Sequence, residues 1–164
     1  MQIREAVESD AAALLRFFNQ LDSESNFMLF EPGERQTTEP EQQAIIAAFA
    51  QSERRFMCVA ETAGNIIGFC VLVGNQQRRN AHTASLVIGV AKSHWLQGTG
   101  AKLLETVIGK ADTAGIERIE LTVRTDNRAA LALYQKFGFV IEGERIGSLN
   151  IGGNRVNEFY MARV

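Results

Sequence analysis

Ile88-Gly89-Val90-Ala91-Lys92-Ser93-His94-Trp95-Leu96-Gln97-Gly98-Thr99-Gly100-Ala101 carries three signals in succession. An apolar run ends at Val90, a glycine-containing loop follows, and a long amphipathic stretch begins near Gly98. That stretch predicts a helix to about Ala114, with Leu103, Leu104, Val107, Ile108 and Ala111 on one face and Gly115 at its C-cap. The first N–H groups of such a helix have no intrahelical partners and carry the positive end of its dipole. Glycines at 98 and 100 let a ligand reach the backbone. Strand, loop and helix N-terminus therefore read as an anion site, most simply for a phosphate or pyrophosphate.

Two phosphate-binding patterns fit poorly. A P-loop ends in Gly-Lys-Ser/Thr, but Gly109-Lys110 is followed by Ala111 and lies mid-helix. A dinucleotide fingerprint requires a third glycine where Leu103 stands, and its acidic residue would be Glu120, inside a strand.

Outward from the loop, Ala84 to Val90 predicts the preceding strand. Ile119, Leu121 and Val123 alternate with Glu120, Thr122 and Arg124 as a half-buried strand beyond the helix. Phe56–Ala60 and Ile66–Val73 read as strands around the turn Thr62-Ala63-Gly64-Asn65. Gln2–Ala6 is a first strand. Ser9 or Asp10 caps a helix to about Asp22, and Thr38-Glu39-Pro40-Glu41 is a capping box opening a second helix through Ala50. Arg128–Phe137 is a short helix capped by Asn127 and closed by Gly138, and Phe139–Glu142 and Asn157–Val164 are two last strands. The expected fold is α/β: a single domain over residues 1–164, one mixed central sheet of about six to seven strands, and about four flanking helices.

Composition excludes several classes. The chain has 164 residues, 46% hydrophobic and 22% charged, as in ordinary globular domains. Seventeen Lys+Arg against nineteen Asp+Glu leave a net charge of −2, so no overall basic field attracts nucleic acid. The longest apolar run, Ile66–Val73, is too short for a membrane helix of roughly 20 residues. Met1–Arg4 opens no apolar signal region. Cys58 and Cys70 both sit in apolar runs and read as buried free thiols, too few for a cysteine metal site. A cytoplasmic protein with no metal, no membrane and no nucleic-acid partner is expected.

The second informative stretch is Asn127-Arg128-Ala129-Ala130-Leu131-Ala132-Leu133-Tyr134-Gln135-Lys136-Phe137-Gly138-Phe139. It follows the next strand and so starts at the same sheet edge as the first loop. Together with Trp95…Gly98-Thr99-Gly100, it resembles the GNAT superfamily of acetyl-CoA-dependent N-acetyltransferases. That family's pattern is Gln/Arg-x-x-Gly-x-Gly/Ala followed by Asn-x-x-Ala-x-x-Leu-Tyr-x-x-x-Gly-Phe. Small bacterial single-domain members also carry Arg-x-x-His before the fourth strand, here Arg79…His82, and Glu-Gly after Gly-Phe, here Glu142-Gly143.

The resemblance implies an acyltransferase using acetyl-CoA. By it, the backbone of Ile88, Gly89 and Val90 lies along the pantetheine arm as an added strand would. Trp95 and the N–H groups of Leu96, Gln97, Gly98, Thr99, Gly100 and Ala101 surround the pyrophosphate. Asn127 contacts the pantetheine or acetyl end, Lys136 reaches the 3′-phosphate region, and Tyr134 is the catalytic acid that protonates the thiolate. The Val90 N–H polarises the acyl carbonyl. Trp95 departs from the family's Gln/Arg, and Asn157 stands where many relatives have Asp. The expected acceptor is the primary amine of a small molecule or amino acid. A protein N-terminus or lysine, and a non-catalytic acyl-CoA-binding module, are the alternatives. Phe27, Phe30, Glu31 and His82 are the candidate acceptor-side residues; His82 and Glu120 are the candidate bases, Glu24, Glu31 and Glu34 are placed to pair with a cationic amine, and His94 in the anion loop is a candidate phosphate contact. A homodimer through the last strands is a further expectation of the resemblance.

Overall fold

A computed structural model describes residues 1–24 and 30–164. Its elements are β1 (Gln2–Glu5), α1 (Ala11–Glu24), α2 (Glu39–Ala50), β2 (Arg55–Thr62), β3 (Asn65–Gly74), β4 (Thr83–Val90), α3 (Thr99–Thr113), β5 (Arg118–Arg124), α4 (Arg128–Lys136), β6 (Val140–Ile151) and β7 (Asn154–Arg163). The order is the expected one. The strands form one seven-stranded sheet, β1-β2-β3-β4-β5-β7-β6. Every neighbouring pair is antiparallel except β4 with β5.

Strand alternation divides the core between two faces. On one, Cys58, Cys70, Leu72, Leu86, Ile119, Leu121 and Met161 pack with Leu103, Leu104 and Val107 of α3 and Tyr134 of α4. On the other, Met57, Val59 and Phe69 meet Leu14, Phe17, Phe18 and Leu21 of α1 and Ile46 of α2. The Phe18 and Phe69 rings meet edge-on at 4.9 Å, and each buried phenyl contributes roughly 1.5–3 kcal/mol. The helices α1 and α2 cover β3 and β2, whereas β5 to β7 carry exposed or half-buried side chains on this face, among them Thr122 and Tyr160.

Local chemistry sets the helix ends. Thr38 accepts the Glu41 N–H as the N-cap of α2, as the Thr-x-x-Glu spacing predicts. α1 differs from expectation. A single 3₁₀ turn over Glu8–Asp10 precedes it, and Asp10 is drawn to the Arg4 guanidinium at 2.8 and 2.9 Å while also accepting the Val7 N–H. Those bonds, first of all Arg4, hold the Asp10 carboxyl below its ordinary value. The contribution of this pair to stability is therefore complete above about pH 4 and is lost as the pH falls through the lowered folded value. Melting curves of wild type and Asp10→Asn should converge as the pH drops below about 4. A gap that stays constant down to about pH 2 contradicts the pairing.

The last strands also differ. β6 runs past the expected end at Glu142 to Ile151, because two register shifts, at Ile141/Gly143 and Arg145/Leu149, interrupt the alternation without ending the pairing. Asn157 stabilises the second shift by accepting the Gly147 N–H at 2.7 Å and donating to Glu144. Gly152 and Gly153, both at positive φ, close the hairpin.

Candidate active site

β4 and β5 pair over three registers only, Thr83–Ser85 against Arg118–Glu120, and then diverge. The remaining edge of β4 opens toward β5. Its polarity follows from the other side: Thr83 accepts from Asn75 N–H and Ala91 donates to Ile67. Odd residues of β4 thus bond to β3, and the N–H and C=O groups of Ile88 and Val90 point into the splay. The Trp95 indole confirms this direction, donating to the Val90 carbonyl at 2.8 Å.

The loop after β4 offers a row of free donors. Among the described residues, the backbone N–H groups of Leu96, Gln97, Gly98, Thr99, Gly100 and Ala101 find no acceptor, and the first bond of α3 is Lys102 N–H to Gly98 at 3.1 Å. Gly98 takes φ +83°, and Leu96 holds φ +60° with its side chain in solvent. A left-handed leucine costs about 1–2 kcal/mol, so the loop spends stability to keep this turn open. Its side chains do other things. Thr99 is buried beneath β3, Gln97 donates to Ser93, and His94 contacts the Ser93 hydroxyl. The donor array with the dipole of α3 fits a pyrophosphate.

Tyr134 projects from the last turn of α4 into the core on the α3 face of the sheet, its ring 5.7 Å from that of Phe139. Burial pushes its hydroxyl well above the ordinary tyrosine value, with the buried Cys70 adding to the shift. The group is neutral and proton-bearing at physiological pH. Among the described residues the hydroxyl has no hydrogen-bond partner, and the only fully buried side-chain nitrogen or oxygen left unpaired is Arg55 Nε. The Tyr134 hydroxyl therefore opens to accessible space. Asn127 caps α4 through its Oδ1 to the Ala130 N–H, which leaves the amide nitrogen for other contacts. Lys136 is exposed at the C-terminal end of α4, where its charge suits the dipole.

The acceptor side departs most from the sequence reading. His82 stands at the start of β4, exposed, its carbonyl accepting from Glu117 and Arg118 N–H. Eight strand steps, roughly 26 Å, separate it from Val90, so the structure does not bring it to the splay. Glu120 pairs with Arg118 at 2.8 Å, beside the paired end of β4. Glu24 is taken by the Lys92 N–H at 2.8 Å, joining α1 to the loop after Val90. Glu31 and Glu34 lie exposed in a turn, and Phe30 packs over Arg35. Phe27 lies outside the described residues.

Sequence reasoning missed Asp22 and Arg35. Asp22 is 2% exposed and receives Nε and Nη2 of Arg35 at 2.9 and 3.1 Å. The signal was present: an aspartate on the Leu14-Phe17-Phe18-Leu21 stripe requires a cation.

An open strand edge, a donor loop that follows it and a buried neutral tyrosine are the features that the acetyl-CoA resemblance requires. Residues 16–139 match the family described as Acetyltransferase (GNAT) family. The chain belongs to the GNAT acetyltransferase family. Acetyl-CoA is the acyl donor of that family. The chain is 35% identical over 107 residues to the L-amino acid N-acetyltransferase AaaT of Escherichia coli, a match covering 65% of this chain and 66% of that one, just under two thirds of its length. In structure it is similar to an acetyltransferase of GNAT family from Streptococcus pneumoniae, with TM-score 0.95, 35% identity and 99% and 98% of the two chains covered. It also shares its fold with yncA of Salmonella typhimurium, described as a putative acetyltransferase with its cofactor acetyl-CoA, at TM-score 0.86, 20% identity and 99% and 92% coverage. No helix among the described residues is long and apolar enough to cross a membrane.

Proposed function

We propose that the protein transfers an acetyl group from acetyl-CoA to the primary amine of a free amino acid or similar small amine. One observation carries the reading. The Ile88 edge and the Val90 N–H face the divergence of β4 from β5 and lead into the donor loop of Leu96 to Ala101, and we read the accessible Tyr134 hydroxyl as facing the same opening. The identity to an L-amino acid N-acetyltransferase supports the acceptor class.

Bound acetyl-CoA supplies an activated thioester. The N–H groups from Leu96 to Ala101 hold its pyrophosphate, and the edge of Ile88 and Val90 aligns its pantetheine arm. The Val90 N–H donates toward the acyl oxygen where negative charge develops. The Tyr134 hydroxyl holds the proton that sulfur needs on leaving. Asp22 and Glu24 are already engaged by Arg35 and by the Lys92 N–H, so we assign release of the amine proton to water on the open face. The transfer is direct. Cys58 and Cys70 are fully buried, and burial pushes their thiols up, Cys58 to about 11 and Cys70 well above the ordinary value. Neither offers a thiolate for an acyl-enzyme. Two buried reduced thiols also fit a cytoplasmic setting.

Trp95 is the single tryptophan and reads the site directly. Acetyl-CoA should change its fluorescence, because it bonds to the Val90 carbonyl. At about 100 times its dissociation constant, the ligand should add about 2.7 kcal/mol of stability, a midpoint rise of about 5–10 °C. Thiol release should then follow with amino acids and not with peptides. Peptide-only turnover transfers the proposal to protein acetylation, and binding without turnover of any amine leaves a sensing module.

A further inference from the structure

We propose that Arg35 receives the carboxylate of the acceptor, making the preferred substrates amines that carry a carboxylate. The inference rests on the amino-acid reading above and adds the residue that selects it. Asp22 holds Arg35 from one side only, through Nε and Nη2. The Phe18 and Phe30 ring centroids lie 4.9 and 4.6 Å from the guanidinium carbon, so the plane is fixed before any ligand arrives. Nη1 has no acceptor among the described residues, and Nη2 spends one of its two N–H groups on Asp22, so the end of the guanidinium keeps Nη1 and the second N–H of Nη2 uncommitted. Nη1 is not a sealed atom either, since among the described residues the only fully buried unpaired side-chain nitrogen is Arg55 Nε, on β2. The Arg35 side chain is 16% exposed. A rigid, nearly buried guanidinium whose Nη1 and second Nη2 N–H are uncommitted matches the geometry of a second carboxylate.

The helix that anchors this pair lies against the end of β4. Leu21, beside Asp22, lies with its Cδ1 2.9 Å from where a Gly89 Cβ would stand, and Phe69 presses on the same spot. Phe18, which stacks under Arg35, packs on Phe69. Glu24 fastens the end of α1 to the Lys92 N–H. The last two turns of α1 thus sit against the end of β4 where Val90 opens to the splay. A purely structural clamp would need the Asp22 contact and no accessible fork.

The test compares each amino acid with its decarboxylated amine and its amide: phenylalanine, phenethylamine and phenylalaninamide, then the leucine set. Wild type should favour the acid by about 10- to 100-fold in kcat/KM, expressed mainly in KM. Arg35→Lys keeps a charge on Asp22 but loses the fork. It should abolish most of that preference while leaving the amine rate and the KM for acetyl-CoA within about two-fold. Equal losses on acid and amine overturn the proposal, leaving Arg35 as a clamp. A wild type that turns over amines and amides as well as acids overturns it without any variant, yet leaves the acetyltransferase reading standing. If no small amine reacts although acetyl-CoA binds, the proposal and the amino-acid reading fail together.

Discussion

Tyr134→Phe is expected to lower kcat by about 10²- to 10⁴-fold while the KM for acetyl-CoA stays within about two-fold. The substitution removes one oxygen from a ring that is otherwise core. Tyr134 is 7% exposed and packs with Phe139 among the α3 and α4 residues, so phenylalanine fills the same volume. The hydroxyl donates to nothing in the described protein, and no partner is orphaned by its loss. Stability should therefore be nearly unchanged, and the effect should fall on the proton given to sulfur. Because burial holds the phenol protonated far above neutrality, loss of its proton should not limit the wild-type rate near neutral pH. Steady-state kinetics with an amino-acid acceptor checks this. An unchanged kcat removes Tyr134 from the chemistry.

Asp22→Ala should destabilise the fold by about 3–5 kcal/mol, a fall in melting midpoint of about 6–20 °C. The carboxylate has no exposed side-chain surface, and Arg35 is its bidentate partner. Deleting it leaves a guanidinium confined between two phenyl rings without its counter-charge, and the chain from 30 to 35 loses its tie to α1. Apolar replacement of both partners, Asp22→Leu with Arg35→Met, should recover much of the loss, since no charge is then stranded. Thermal denaturation of the single and double variants separates the cases. A single variant within about 1 kcal/mol of wild type contradicts a buried pair.

Different residues were legible to different degrees. The alternation of Ile119, Leu121 and Val123 and the apolar stripe of α3 place their elements correctly, because period alone distinguishes a half-buried strand from a helix. The Thr38 and Asn127 caps were equally legible, since capping depends on residues three apart. The donor loop was visible as glycines between a strand and a helix. The start of β6 was legible but its length was not: Gly143 and Gly147 at its shifts erase the period that marks a strand. The Asp22–Arg35 pair escaped because its members lie 13 residues apart and neither is unusual by itself. The position of His82 just before β4 does not reveal which end of that strand opens, and the splay lies at the opposite end.

Element order, the two-faced sheet and the donor loop follow from the sequence alone, because each rests on spacings of a few residues. The splay itself is a tertiary decision. Nothing local in Leu86 to Val90 says that β5 will leave β4 after Ser85. That divergence depends on contacts far apart in the chain, α3 and α4 packing on one face while Leu21 and Phe69 meet Gly89 on the other. Packing is non-local and sensitive to the shape of each side chain. It turns a strand edge into an opening.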